Sequence, residues 1–367
     1  MNDPRIRKLA GIIVDYSTRV RKGEVVLISA VGGECLPLVK ELHRLCLLRR
    51  AAQVEVTFSF PEITKDLYRY GSKEQLSRFP RHKLDFMKSV DVSIGIGAVQ
   101  NSKVYAGADQ ELQLLHEKTL RPLLDRRVNH TRWVVCRYPT HGAAQSAGMS
   151  LEEYEDFTFS ACNQDWAKES KKQEPLRKLL ERANKVRVEA PGTDLTFSLE
   201  GLPGVKADGQ RNLPDGEVFS APVKKSVEGM VTFNCPTTYD GRTFEGIVLE
   251  FSRGKAVKAS CGSGTKELNR ILDIDPGARY VGEFAFGTNR RITQPVGSTL
   301  YDEKMFGSIH FAMGNAYKRC FNGNSSAIHW DIVTRLGRSG KVTIDDRTVF
   351  EKGRFALPAL ASLNRGG

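Results

Sequence analysis

Two of the seven histidines in this chain, His310 and His329, lie near its end, and Asp331 follows the second by two positions. Two imidazoles and a carboxylate suit a borderline-soft divalent cation. In an extended strand, residues two apart point the same way, so His329 and Asp331 could hold one metal ion or two adjacent ones. Two upstream carboxylates sit in apolar, glycine-flanked settings: Glu217 in Pro214-Asp215-Gly216-Glu217-Val218-Phe219, and Glu283 in Val281-Gly282-Glu283-Phe284-Ala285-Phe286. Taken alone, Glu217 also reads as a surface turn acid, and Glu283 as the partner of an arginine such as Arg279 or Arg290. A buried carboxylate must be paired, hydrogen-bonded or metal-bound, because its desolvation otherwise costs several kcal/mol. A mixed set of carboxylates and imidazoles suits a two-metal hydrolase, whose ions clamp a hydroxide and polarise a carbonyl.

The elements that would position these residues fall into two textures. In the first half, apolar residues at Ile6, Leu9, Ile13, Tyr16 and Val20 trace one face of a helix. Strand patterns follow at 23–30, 53–60, 90–97 and 131–138, separated by helical stretches at 35–50 and 110–125. This predicts an open α/β sheet with helices on its faces. Gly95-Ile96-Gly97 lacks the third glycine and the helix-opening context of a dinucleotide fingerprint, so it reads as a strand-end turn. A charged helical segment at 164–186 bridges to the second half, with Pro175 marking a helix start. Alternating strands then appear at 185–190, 194–199 and 229–234. The pair 247–252 and 256–261 reads as a hairpin around Arg253-Gly254-Lys255, and a helix follows at 264–272. The expected division is an N-terminal α/β domain, 1–185, and a mainly antiparallel α+β domain, 186–367, carrying the metal site.

At 367 residues, the chain exceeds the size at which one core usually stops growing. Its 40% hydrophobic and 27% charged content is ordinary for a globular protein, and no apolar run is long enough to span a bilayer. With neither membrane span nor signal-type segment, the reading is cytoplasmic. Seven scattered cysteines without Cys-x-x-Cys spacing argue against a disulfide framework and against a cysteine-ligated zinc. A net charge of +12 raises nucleic acid as a partner. The cations are spread along the chain with no basic arm or RNP-type motif, which disfavours that reading and leaves a basic surface able to attract acidic substrates.

The ordered series Asn212-Leu213-Pro214-Asp215-Gly216-Glu217-Val218-Phe219, Gly282-Glu283, Tyr301-Asp302-Glu303, His310 with Ala312, Gly314 and Tyr317, and His329-Trp330-Asp331 resembles the thermophilic metallo-aminopeptidase family, of aminopeptidase T type. The segment Ala147-Gly148-Met149-Ser150-Leu151-Glu152-Glu153-Tyr154 is similar to that family too. The resemblance implies a cytoplasmic, homodimeric aminopeptidase acting on peptides with a free N-terminus. It implies a centre of two divalent ions (zinc, cobalt or manganese) on Glu217, Glu283, Glu303, His310, His329 and Asp331, with Tyr317 assisting catalysis by hydrogen-bonding the developing oxyanion. Two departures stand out. The spacing from Glu303 to His310 is longer than the family's usual pattern, and Gly216 replaces one member of an acidic pair, leaving the general base unassigned. The same ligand types would serve a two-metal phosphoesterase or deamidase, and a basic nucleic-acid-binding protein with a structural metal is the non-enzymatic rival.

Overall fold

The computed structural model describes residues 3–239 and 241–365. The chain divides into two compact units, Met1–Asn163 with Gly209–Leu213, and Gln164–Asp208 with Pro214–Gly367. The charged helical segment thus belongs with the second unit, where the sequence pattern places the domain boundary after residue 185.

The first unit is built on a five-stranded sheet in the order Gln53–Ser59, Val25–Val31, Val92–Gly97, Arg132–Arg137, Asn212–Leu213, paired in parallel throughout. Parallel pairing requires crossovers, and helices Leu36–Leu48 and Gln110–His130 fall between successive strands. The inner strands Val25–Val31 and Val92–Gly97 are nearly continuous apolar runs because both of their faces are covered. Gly95 and Gly97 lie within the strand rather than in a turn beyond it. All seven cysteines are free.

In the second unit, the helix Trp166–Glu181 begins at Asp165, whose carboxylate accepts from the Lys168 amide at 3.0 Å. The N-terminus is therefore capped one turn and more before Pro175, which sits inside the helix instead of opening it. The helix buries Leu176 and Leu180 in a core shared by two sheets. One sheet has eight strands; the other has five, in the order His329–Arg335, Ser308–Gly314, Val281–Gly287, Glu217–Ser220, Val205–Ala207, all antiparallel. The expected hairpin is present as Val248–Ser252 and Lys255–Ser260.

The five-stranded sheet sorts its residues by strand alternation. Val218, Phe284, Phe286, Ile309, Phe311, Met313, Trp330 and Ile332 point into the shared core. Their neighbours Glu217, Glu283, His310, His329 and Asp331 therefore point out of the opposite face. Val281 also enters the core, although strict alternation would put it beside Glu283. A register shift between Val281 and Glu283 resolves this, because the extra residue Gly282 reverses the alternation. A Cβ on Gly282 would lie 2.5 Å from the carbonyl oxygens of Gly314 and Asn315, so no larger residue fits the bulge.

Candidate metal centre

Across the face opposite the core, small residues make room for the polar ones. Glu283 and Asp331 each stand opposite Ala312, His310 stands opposite Ala285, His329 opposite Gly314, and Glu217 opposite Gly287. With no bulk between them, carboxylates and imidazoles on four strands converge. His310 Nε2 lies 3.2 Å from Glu283, 3.5 Å from Glu217 and 3.8 Å from Asp331. His329 Nε2 lies 3.4 Å from Asp331 and 3.8 Å from Glu283. Glu303 arrives from off the sheet, at the C-terminal end of the short helix Thr299–Asp302. Its longer separation from His310 is taken up by the turn between that helix and the strand Ser308–Gly314. All six carboxylate and imidazole residues named as ligands are brought together.

The cluster forms three overlapping groups, Glu217–Glu283–His310, Glu283–His329–Asp331 and Glu303–His310–Asp331, each with its ligand atoms within 4.8 Å of one another. The histidines are oriented from behind. His310 Nδ1 lies 3.2 Å from the Glu303 carbonyl and His329 Nδ1 lies 2.7 Å from the Asn315 carbonyl. A carbonyl only accepts, so each Nδ1 carries the proton and each Nε2 is turned toward the carboxylates as a donor to a metal. Glu217 Oε2, Glu283 Oε2, Asp331 Oδ1 and His329 Nε2 are all buried without a hydrogen-bond partner. An orphaned buried polar atom costs roughly 1–3 kcal/mol. Four such atoms clustered together fit a divalent cation better than any partner the chain supplies.

One residue of the site, Lys304, was not singled out in the sequence. Lys304 is 1% exposed. Its ammonium lies 2.6 Å from Glu303, 2.7 Å from Glu217 and 4.0 Å from Asp215, which is itself fully buried. Within Tyr301-Asp302-Glu303-Lys304, the Glu-Lys pair reads as a solvated turn; the available signal was its apolar bracket of Tyr301, Met305 and Phe306. Asp215 is fixed by the same neighbourhood, since Asn289 Nδ2 donates to its carbonyl at 2.8 Å. Gly216 is left-handed at φ 118°, and a Cβ there would meet Asn289 Cβ at 2.8 Å, so the acidic pair expected at 216–217 cannot form. Asp302 points elsewhere, accepting from the Val296 amide at 2.7 Å.

The electrostatics reflect crowded negative charge. Burial alone would lower both imidazoles, but the carboxylates outweigh it, raising His310 to about 9 and His329 to about 10. Burial pushes Glu303 up to about 8 despite the opposing charge of Lys304, and it also raises Glu283. For Asp331, the raising effect of burial is overcome by His329, His310 and Lys304, which hold it low. Burial disfavours the Lys304 ammonium, yet Glu217, Glu303 and Asp215 keep it protonated. Tyr317 keeps its outer surface exposed at 46%. Its ring packs 4.4 Å from His329 and 5.9 Å from Phe219, at the rim of the cluster. Desolvation there and the neighbouring carboxylates push its phenol well up.

A buried carboxylate–imidazole cage oriented from behind is a candidate site for a divalent metal ion. The family description "Thermophilic metalloprotease (M29)" matches residues 2–355, and the chain belongs to that family and is a peptide hydrolase. It is 26% identical to aminopeptidase T of Thermus thermophilus over 88% of this chain and 87% of that protein. It is 25% identical to aminopeptidase AmpS of Bacillus subtilis over 90% and 88%, respectively. The solved structure of wild-type AmpT from Thermus thermophilus superposes with a TM-score of 0.85 at 25% identity, covering 96% of this chain and 99% of that one. No helix among the described residues is long and apolar enough to cross a membrane.

Proposed function

We propose that this chain removes N-terminal residues from peptides at a centre of two divalent ions held by Glu217, Glu283, Glu303, His310, His329 and Asp331, the ions being zinc, cobalt or manganese. One observation carries the reading: four buried ligand atoms, on Glu217, Glu283, His329 and Asp331, cluster together with no hydrogen-bond partner. The charge balance favours two ions over one. The ligands Glu217, Glu283, Glu303 and Asp331 bring four negative charges when ionised, and Lys304 offsets one. Three remain, more than a single divalent cation neutralises.

When bound, such ions supply Lewis acidity and lower the pKa of water toward neutrality. The chain's own residues do the rest. Glu283, His310 and Asp331 each belong to two of the three ligand groups, so they tie the groups into one continuous cage. The surplus of carboxylates also offers an anchor for the substrate's α-amine, which distinguishes an aminopeptidase from an enzyme cutting within a chain. Tyr317, protonated at neutral pH and standing at the exposed rim, can donate to the substrate carbonyl oxygen as negative charge develops on it. Lys304 holds the Glu217 and Glu303 carboxylates in place through contacts of 2.7 and 2.6 Å.

The test is release of chromophore from aminoacyl p-nitroanilides, compared with N-blocked analogues and with p-nitrophenyl phosphate. Hydrolysis confined to free-amine substrates supports the proposal; preferred cleavage of the phosphate ester refutes it in favour of the phosphoesterase alternative. A homodimer and a cytoplasmic location, both following from the family resemblance, complete the proposal, and sedimentation analysis tests the first.

A further inference from the structure

Away from the metal centre, the second unit holds a cleft of about 550 Å³ whose walls include Arg290, Arg335, Arg338, Lys352 and Arg354. No carboxylate lines it, and none of the five cations forms an ion pair among the described residues. Five like charges around one concavity repel each other, and such a cleft focuses a positive field outward. The floor is rigid. Phe306 packs against Phe355 at 5.9 Å, Phe355 packs against Phe350 at 5.3 Å, and the Arg290 guanidinium lies 4.2 Å over the Phe306 ring. Asn364 closes one side, locked by hydrogen bonds of 2.9 Å to both the amide and the carbonyl of Phe355. Gly307, Gly337 and Gly353 line the remaining wall, so a ligand can approach the backbone closely there.

We propose that this cleft binds an oligophosphate chain, either free or as part of a nucleoside polyphosphate. Its volume falls in the range of small-molecule sites, roughly 300–1,000 Å³, and it is a compact, half-open concavity rather than the extended track that a nucleic-acid strand needs. Four of the five cations are arginines, whose planar forks match phosphate oxygens in bidentate geometry. An acidic peptide fits less well, because same-side carboxylates on an extended chain are about 7 Å apart and cannot concentrate charge in one pocket.

The test is titration calorimetry on the purified, metal-loaded protein near 0.15 M salt, using inorganic triphosphate, ATP and heptaglutamate as separate probes. The comparison is the double variant R338E/R354E, whose exposed side chains lie outside the metal centre, with melting temperature confirming its fold. Triphosphate should saturate the wild type at one site per chain, and the variant should bind it at least about thirtyfold more weakly, as two fork contacts become repulsive. Chelation at the metal centre would persist in the variant, so it is separated from cleft binding. ATP binding as tightly as triphosphate shows that the phosphate chain alone is recognised; tighter ATP binding shows that the nucleoside is seated as well. Equal triphosphate binding by the variant, heptaglutamate binding as tight as triphosphate, or no saturable binding would each overturn the proposal.

Discussion

Replacing Lys304 by methionine isolates the role of the buried cation, because the side chain keeps its length and loses its charge. In the wild type, the ammonium sits 2.6 Å from Glu303 and 2.7 Å from Glu217 at 1% exposure. Removing one member of a buried ion pair leaves an uncompensated charge and typically costs about 3–5 kcal/mol. For a domain of this size, each kcal/mol lowers the melting temperature by roughly 2–4 °C, so the metal-free variant should melt about 6–20 °C below the metal-free wild type. Divalent ions restore the missing positive charge to Glu217 and Glu303, so the deficit should shrink when both proteins are saturated with zinc. Calorimetric scans of the two proteins, metal-free and zinc-saturated, measure all four melting points. Equal melting temperatures in the metal-free pair would refute the reasoning. So would a deficit unchanged by zinc, since it would place the effect of Lys304 outside the ligand cage.

Three further outcomes follow from the same geometry. With His310 at about 9, His329 at about 10 and Glu303 at about 8 in the metal-free protein, all three ligands are protonated near pH 7, and metal uptake must displace about three protons. Zinc affinity should therefore fall on acidification, and calorimetry in buffers of different ionisation enthalpy counts the protons. The sign for metal-free stability is opposite: both imidazole pKa values lie above 6.5, so the histidines' contribution is full below about 6.5 and is lost as pH rises through 9 to 10, which alkaline melting curves would register. Substituting Gly282 by alanine forces a Cβ to 2.5 Å from two carbonyl oxygens, and the overpacking should cost at least about 1–3 kcal/mol and reduce bound metal, read by denaturant melts and elemental analysis. Tyr317→Phe should lower kcat about tenfold to a thousandfold while leaving metal content unchanged; a loss of metal instead would make Tyr317 a structural element of the cage.

Strand alternation made most of the cage readable. His329 and Asp331 were placed on one face by their spacing, and the sheet confirms that face, with the strand paired on one side to Ser308–Gly314. The β-α-β order likewise foretold the parallel sheet of the first unit. What escaped notice depended on distant contacts. Lys304 is charged and follows a glutamate, so local sequence marks it as solvated; only the folding of 299–306 over the sheet face buries it against Glu217. Gly216 looked like a lost carboxylate, whereas the close approach of Asn289 leaves no space for a side chain there. Pro175 reads locally as a helix start, but the Asp165 cap lies further upstream and the helix tolerates one missing donor.

Metal content measured alongside aminopeptidase rate, for the wild type and His329→Ala, tests the central claim most directly. The wild type should carry two divalent ions per chain, lose activity in step with their removal by a chelator, and regain it on return of zinc, cobalt or manganese. His329→Ala should bind fewer than two ions and release N-terminal residues at a rate lower by orders of magnitude. Undiminished activity in chelated wild type or in the variant, or one ion per fully active chain, would contradict the dinuclear assignment.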